Sequence, residues 1–286
     1  MSDMHTDETE TSGVLCMLCP HGCRIAEGAA GFCRARVNRN GQIIARNYGI
    51  VTGLSLDPIE KKPLFRFHPG SVILSVGSFG CNFRCGFCQN HEISMAEGKT
   101  ENARTISPAE LAEMAKSLVP RGNIGLAFTY NEPLIGYEYL RDCAELNRAQ
   151  GLVNVVVTNG YLNEQPLRAL LPLIDAMNID LKGFTEAFYK KISGSLDVIK
   201  RNIAVCAEDC HVELTTLIIP GENDTPDEMR ALSHFVAGID PSIPLHITRF
   251  FPRYRMADAK PTPIETVEQL CDIAQEELQY VYKGNC

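Results

Sequence analysis

From residue 71 onward, short and almost wholly apolar runs recur along the chain. They are SVILSVG (71–77), NIGLAFT (123–129), VNVVVT (153–158), DAMNIDL (175–181), HVELTTLII (211–219) and IPLHITRF (243–250). Near-continuous apolarity without a two-residue alternation marks strands covered on both faces. Amphipathic stretches separate the runs. SPAELAEMAKSLV opens with Ser107 as helix N-cap and Pro108 at the first helical position, and TPDEMRALSHFVAGI repeats the device with Thr225 and Pro226. The alternation predicts an α/β fold with a parallel sheet, as a partial (β/α)6 TIM-type barrel or an open doubly wound sheet.

The predicted organisation has three parts. Residues 1–13, MSDMHTDETETSG, read as a disordered acidic lead-in. Residues 14–70 are rich in Gly, Arg and Cys without long periodic runs, and read as a small N-terminal Cys-rich metal-binding module. Residues 71–286 form the main barrel.

Polar residues collect where the predicted strands end: a cysteine triplet after the first, TYNEP after the second and TNG after the third. NIDLKG, PGEND and RFFPR follow the remaining three. Any one of these could be turn chemistry. Six together predict a site at the carboxyl ends of the strands, where barrel and open-sheet enzymes alike place theirs.

Composition narrows the class. With 286 residues, 45% hydrophobic and 22% charged, the chain is an ordinary globular protein. A net charge of −8 argues against a nucleic-acid or anionic-membrane partner. No run approaches a membrane span, and the first residues lack a signal-peptide core, so a cytoplasmic location is expected. No Walker loop, G-x-G-x-x-G after a strand or Ser-His-Asp set is present.

Twelve cysteines in such a chain change the picture. In a reducing compartment, clustered cysteines bind metal more often than they form disulfides. Cys143, Cys206, Cys210, Cys271 and Cys286 are scattered and read as buried small hydrophobes. Cys81, Cys85 and Cys88 stand at C-x3-C-x2-C spacing directly after the first apolar run, with no fourth cysteine nearby. The triplet could be three ligands of a zinc site or a structural loop; three thiolates can also hold a [4Fe–4S] cluster and leave one iron open for substrate, as three-ligand zinc sites leave room for water. Cys16, Cys19, Cys23 and Cys33, in CMLCPHGC…GFC, make a complete four-ligand set for zinc or for a second, closed iron–sulfur cluster. His21 among them is expected to be an exposed turn residue. An iron–sulfur electron carrier or a zinc-bearing interaction protein would also use clustered cysteines, but neither needs the polar strand ends.

CNFRCGFC, with Phe87 just before the last cysteine, resembles the signature of radical S-adenosylmethionine (radical SAM) enzymes. The resemblance implies a partial (β/α)6 barrel and an oxygen-sensitive [4Fe–4S] cluster on Cys81, Cys85 and Cys88. Its open iron would bind S-adenosylmethionine, whose reductive cleavage yields a hydrogen-abstracting 5′-deoxyadenosyl radical. By the same resemblance, TYNEP sits at the family's Gly-Gly-Glu-Pro motif, with Tyr130 and Asn131 in place of the glycines, and Asn131 and Glu132 would face the methionine amino group. VVTNGY and NIDLKG are similar to segments of glycyl-radical activating enzymes. They imply Thr158, Asn159, Asp180 and Lys182 near the ribose and carboxylate, with Lys182 or a monovalent cation beside Asp180. Arg253 is a further candidate for the ribose, and Met256 is expected to pack.

CMLCPHGCRIAEGAAGFCRARVN, DPIEKKPLFRFHPG and PLHITRFFPRYRM…YVYKGN together look like the AmmeMemoRadiSam system radical SAM enzymes, relatives of the pyruvate formate-lyase activating enzyme. That resemblance implies an electron donor such as flavodoxin or ferredoxin, and a protein or small-molecule substrate. Memo-like and AMMECR1-like partners are implied too, with installation of a glycyl radical on a partner enzyme as the alternative activity. Lys61 and Lys62 are ordinarily surface charges, but against the barrel mouth they would meet substrate or cluster. The family's cysteine-bearing tail after YVY-GN is expected to be missing here.

Overall fold

The computed structural model describes residues 13–98 and 101–286; apart from Gly13, the segment read as a disordered lead-in lies outside the described residues. Eight strands form one sheet: β1 (Gly53–Pro58), β2 (Val72–Gly77), β3 (Asn123–Phe128), β4 (Val153–Thr158), β5 (Ala176–Asp180), β6 (His211–Ile218), β7 (Leu245–Arg249) and β8 (Val281–Gly284). Their spatial order follows the chain order, β1 through β8, without a skip. Strands β2 to β8 are parallel, and β1 runs antiparallel to β2. A doubly wound sheet reverses its strand order at a switch point; a barrel winds steadily one way. This chain does the latter, and the sheet stays open between β1 and β8. The fold is a partial TIM-type barrel whose strands β2–β7 are the six apolar runs.

Each of those strands is followed by a helix on the outside: Pro108–Ser117, Tyr137–Ala149, Glu164–Leu170, Leu196–Asp209, Pro226–Ile239 and Ile264–Gln275. The first begins with a full capping box, Ser107 accepting from the Glu110 backbone while Glu110 accepts from the Ser107 N–H. Thr225 caps its helix from the Glu228 N–H. Such caps contribute about 1 kcal/mol each.

Strand residues alternate between two cores. Leu74, Val76, Leu126, Phe128, Val156, Met177 and Ile179 face the helices in the large core. Ile73, Ala127, Val155 and Ala176 point inward, where Ile59 and Leu64 close the barrel floor. The strap that brings Leu64 there is pinned by a fully buried carboxylate. Glu213 of β6 accepts from the backbone N–H groups of Phe65 (3.0 Å) and Arg66 (2.7 Å), and pairs with His246 (2.6 Å) and His211 (3.0 Å).

Residues 14–70 were expected to form a small module packed on the main domain. Their first part does form small hairpins, Val14–Leu15 with Arg24–Ile25 and Arg36–Arg39 with Gln42–Ala45. Gly53–Pro58, however, is a strand of the main sheet, and the strap after it fills the barrel floor. An edge strand with Gly, Ser, Asp and Pro carries little β signal of its own; pairing with β2 makes it one. No helix among the described residues is long and apolar enough to cross a membrane.

Candidate active site

The loop after β2 carries Cys81, Cys85 and Cys88, and its backbone is tied down on every side. The Asn131 side chain accepts from the Ser78 N–H (2.9 Å) and donates to the Gly80 carbonyl (3.1 Å). Gly80 has φ +90°, and a Cβ there would lie 2.7 Å from the Cys33 carbonyl oxygen, so only glycine fits. Asn82 donates to the Tyr161 carbonyl (2.7 Å), while its own carbonyl oxygen lies 2.7 Å from His21 Nε2. Arg84 donates to the carbonyls of Cys81, Phe83 and Phe32 and lies 3.7 Å over the Phe32 ring.

Two of the thiols have hydrogen-bond partners. Cys81 Sγ accepts from the Phe83 N–H (3.3 Å) and from Asn159 Nδ2 (3.7 Å), and Cys88 Sγ lies 3.8 Å from Ser94 Oγ. Burial, with the nearby Glu132 and Cys85, pushes the Cys81 thiol far up, and burial takes Cys85 to about 11. A bound metal cation would offset that burial and hold the thiols as thiolates. The N–H···S donors suit the thiolate form that ligates metal. Three thiols of one rigid loop, with no fourth cysteine in it, fit a [4Fe–4S] cluster that keeps one iron open.

The other strand ends converge on this loop. Glu132 is buried, accepting from Thr158 Oγ1 (2.6 Å), the Asn159 N–H (2.8 Å) and the Leu134 N–H (3.0 Å); burial still lifts its carboxyl to about 7. Asn159 also donates to Asn82 Oδ1 at 2.9 Å. Lys182 Nζ stands 2.9 Å from Asp180 Oδ2, the compensation expected there, and the Lys182 N–H donates to Tyr189 Oη. Burial works against the Lys182 ammonium, but Asp180 and the cysteines outweigh it and raise its pKa. Phe87 is buried and stacks on Phe188 (centroids 6.3 Å apart). Arg253 lies exposed, whereas Met256 packs beside Gly86 and the Arg255 N–H donates to the Gly86 carbonyl. Asn131 differs from its expected role: its amide is occupied by the cysteine-loop backbone. Asn82 and Arg84, missed as site residues, are the loop's main tethers; sitting inside the C-x3-C spacing was the available signal.

Cys16, Cys19, Cys23 and Cys33 line one small enclosed cavity of about 10 Å³, together with the buried Arg36, which is ion-paired to Glu138. As the side chains stand, no three Cys, His, Asp or Glu among the described residues converge on a single-ion position, at these four or at Cys81, Cys85 and Cys88. His21 is not an exposed turn residue. It is wedged between the Phe32 and Tyr161 rings and bonded to the cysteine loop, because the module packs directly on that loop. Among the scattered cysteines, Cys143, Cys206 and Cys271 are buried as expected, while Cys286 is exposed.

An open barrel with a three-cysteine loop at the carboxyl end of its first parallel strand defines a class of cluster-bearing barrel enzymes. Residues 75–236 match the radical SAM superfamily, and the chain belongs to it. The chain is 41% identical to an uncharacterized protein, MJ0808, of Methanocaldococcus jannaschii, over 99% of this chain and 84% of that one. It is 29% identical to a pyruvate formate-lyase-activating enzyme of Clostridium pasteurianum over 56% of this chain and 67% of that one, and is thus a relative of those enzymes. In three dimensions it resembles a radical SAM methyltransferase from Sphaerobacter thermophilus, with TM-score 0.55 and 14% identity over 76% of this chain and 67% of that chain, a likeness of fold. Membership implies a [4Fe–4S] cluster and S-adenosylmethionine as cofactors.

Proposed function

We propose that the protein uses Cys81, Cys85 and Cys88 to hold a [4Fe–4S] cluster and acts by hydrogen abstraction on an organic substrate inside the barrel. When bound, the cluster supplies the electron that cleaves S-adenosylmethionine to methionine and a 5′-deoxyadenosyl radical. The chain's own residues position this chemistry. Asn131, Asn82 and Arg84 tether the loop, Asn159 and the Phe83 N–H donate to Cys81, and Phe87 stacks on Phe188. Glu132, Thr158, Asp180 and Lys182 form the polar wall next to it that receives the amino, carboxylate and ribose groups of the cofactor, with a monovalent cation able to share Asp180. Arg253, exposed beside the segment that packs on the cysteine loop, is the further candidate for the ribose. The observation that carries the reading is the tethered three-thiol loop, with two N–H donors aimed at Cys81 Sγ.

Cys16, Cys19, Cys23 and Cys33 bind zinc or a second iron–sulfur cluster, with Arg36 balancing the thiolate charge. The reading extends to the AmmeMemoRadiSam system, with Memo-like and AMMECR1-like partners, a flavodoxin- or ferredoxin-type donor and a cytoplasmic setting. Activation of a glycyl-radical enzyme is the second reading, favoured by the likeness to the Clostridium enzyme. The test is anaerobic reconstitution with iron and sulfide, dithionite reduction and quantitation of 5′-deoxyadenosine. Formation well above a Cys88→Ala control supports the reading; none from a fully loaded, reducible cluster overturns it.

A further inference from the structure

The segment that follows β7 folds back onto the cysteine loop. It reads RFFPRYRMADAK (249–260) and carries Arg249, Arg253, Arg255 and Lys260 against Asp258 alone, in a chain whose net charge is −8. The Arg255 N–H donates to the Gly86 carbonyl at 2.9 Å, between Cys85 and Cys88, and Met256 lies beside the same glycine. Tyr254 stacks on His91, with ring centroids 4.3 Å apart and planes 18° from parallel. His91 Nδ1 in turn lies 3.2 Å from the Cys88 carbonyl oxygen. Two stacked rings, both partly exposed, therefore join the surface to the backbone of the last cysteine.

This lip is not what stability alone would select. Tyr254 sits at φ +50°, a left-handed conformation that a bulky non-glycine residue adopts only at a cost, and such costs collect at functional sites. Phe251 is 46% exposed, and the Arg249 guanidinium lies 4.9 Å from its ring while Arg249 Nε donates to the Thr262 carbonyl at 2.6 Å. Arg253 and Arg255 are exposed, and neither has an ion-pair partner among the described residues. The Arg255 guanidinium rests 5.2 Å from the Tyr254 ring. Exposed arginines beside Phe and Tyr are the composition in which the centres of protein interfaces are enriched.

Charge and position select the partner. A substrate has to be taken up inside the barrel, where hydrogen is abstracted. An electron has only to reach the ligand loop, and its transfer weakens steeply with distance, so its carrier must dock close to the cysteines. The lip offers that approach, because its rings and its Arg255 backbone touch the loop directly. Unpaired cations on a protein of opposite overall charge attract an acidic face at one place while the rest of the surface repels it. That fixes the orientation of the encounter as well as its rate.

We propose that Phe251, Tyr254 and Arg255 form the docking face for an acidic one-electron carrier protein, whose electron enters beside Cys88 through the Tyr254–His91 stack. One electron leaves the carrier and reduces the cluster; no bond is made or broken, and no proton has to be held by the chain. The proposal deepens the radical SAM reading by assigning where its electron enters, and rests on that reading for the cluster.

The experiment uses the anaerobically reconstituted full chain, with an acidic flavodoxin and an acidic [2Fe–2S] ferredoxin as probe carriers. Reduced methyl viologen, a small cation, is the reductant that needs no docking. Stopped-flow absorbance reads cluster reduction, and calorimetry reads binding of the oxidised carriers. Arg255→Glu should weaken carrier binding and slow carrier reduction about tenfold or more, with viologen reduction and melting temperature unchanged. Lys116→Glu makes the same charge reversal on the outer helix Pro108–Ser117 and should match the wild type. Arg253, the further ribose candidate, stays unaltered. Raising the ionic strength from about 0.01 M to about 0.1 M, which shortens the Debye length from about 30 Å to about 10 Å, should slow the wild type toward the variant. Equal carrier rates in Arg255→Glu and wild type, equal slowing in Lys116→Glu, a loss that viologen shares, or a wild-type cluster reduced by viologen but by neither carrier would overturn the docking face. Iron-loaded protein that binds the carriers yet is reduced by none of the three reductants would sink the radical reading and leave the face standing.

Discussion

Glu213→Ala removes the carboxylate that pins the barrel floor. Glu213 has no exposed surface and serves four donors: two histidines and the N–H groups of Phe65 and Arg66. Burial alone would raise its pKa, but His211, His246 and the two N–H groups bring the carboxyl down to about 2 from 4.5. A depressed carboxylate stabilises the fold above its unfolded value, and that stability is lost as pH falls through the folded one. At roughly 1.4 kcal/mol per pKa unit, the ionised Glu213 contributes about 3 kcal/mol at neutral pH, and the loss runs from pH 4.5 down to about 2. The variant strands buried donors as well, which puts the expected cost at about 3–5 kcal/mol. Urea unfolding followed by circular dichroism, under one fixed metal and thiol condition, reads this at pH 7. At pH 3 the gap between wild type and variant should narrow. A variant within 1 kcal/mol of wild type at pH 7, or a gap that does not change with pH, would refute the assignment of Glu213 as the floor clamp.

Three further outcomes are expected. Gly80→Ala places a Cβ against the Cys33 carbonyl at a left-handed φ, so cluster content after reconstitution, read by absorbance near 400 nm (roughly), should fall along with about 1–3 kcal/mol of stability. Lys182→Met leaves Asp180 without its partner; the KM for S-adenosylmethionine should rise about tenfold, equivalent to ~1.4 kcal/mol, with iron content unchanged. Cys33→Ser opens the N-terminal thiol set, and its melting temperature should drop by several degrees, a drop that a strong chelator reproduces in the wild type. An unmoved melting temperature in both experiments would exclude a structural metal there.

The carboxyl-end polar segments, the six central strands, the two capped helices and the three-cysteine spacing were legible along the chain, because strand burial, capping and ligand spacing are local properties. Periodicity could not choose between a barrel and a doubly wound sheet; strand order did, since it is set by which strands pair across long separations. The same cause hid β1. Its sequence carries no strong strand pattern, and only its register with β2 turns Ser55 and Asp57 inward. Lys61 and Lys62 are indistinguishable by neighbourhood in the sequence and both reach Asp57, yet one side chain is solvated and the other buried, which only the packing around the strap decides. Asn131 read as a ligand-facing residue and tethers the cysteine loop; His21 read as an exposed turn residue and is a half-buried one, wedged between two rings. The residues able to ligate and to cap were determined by the sequence itself, whose near-neighbour chemistry needs no fold. What those residues touch was decided by packing between segments far apart in the chain, which no local pattern encodes.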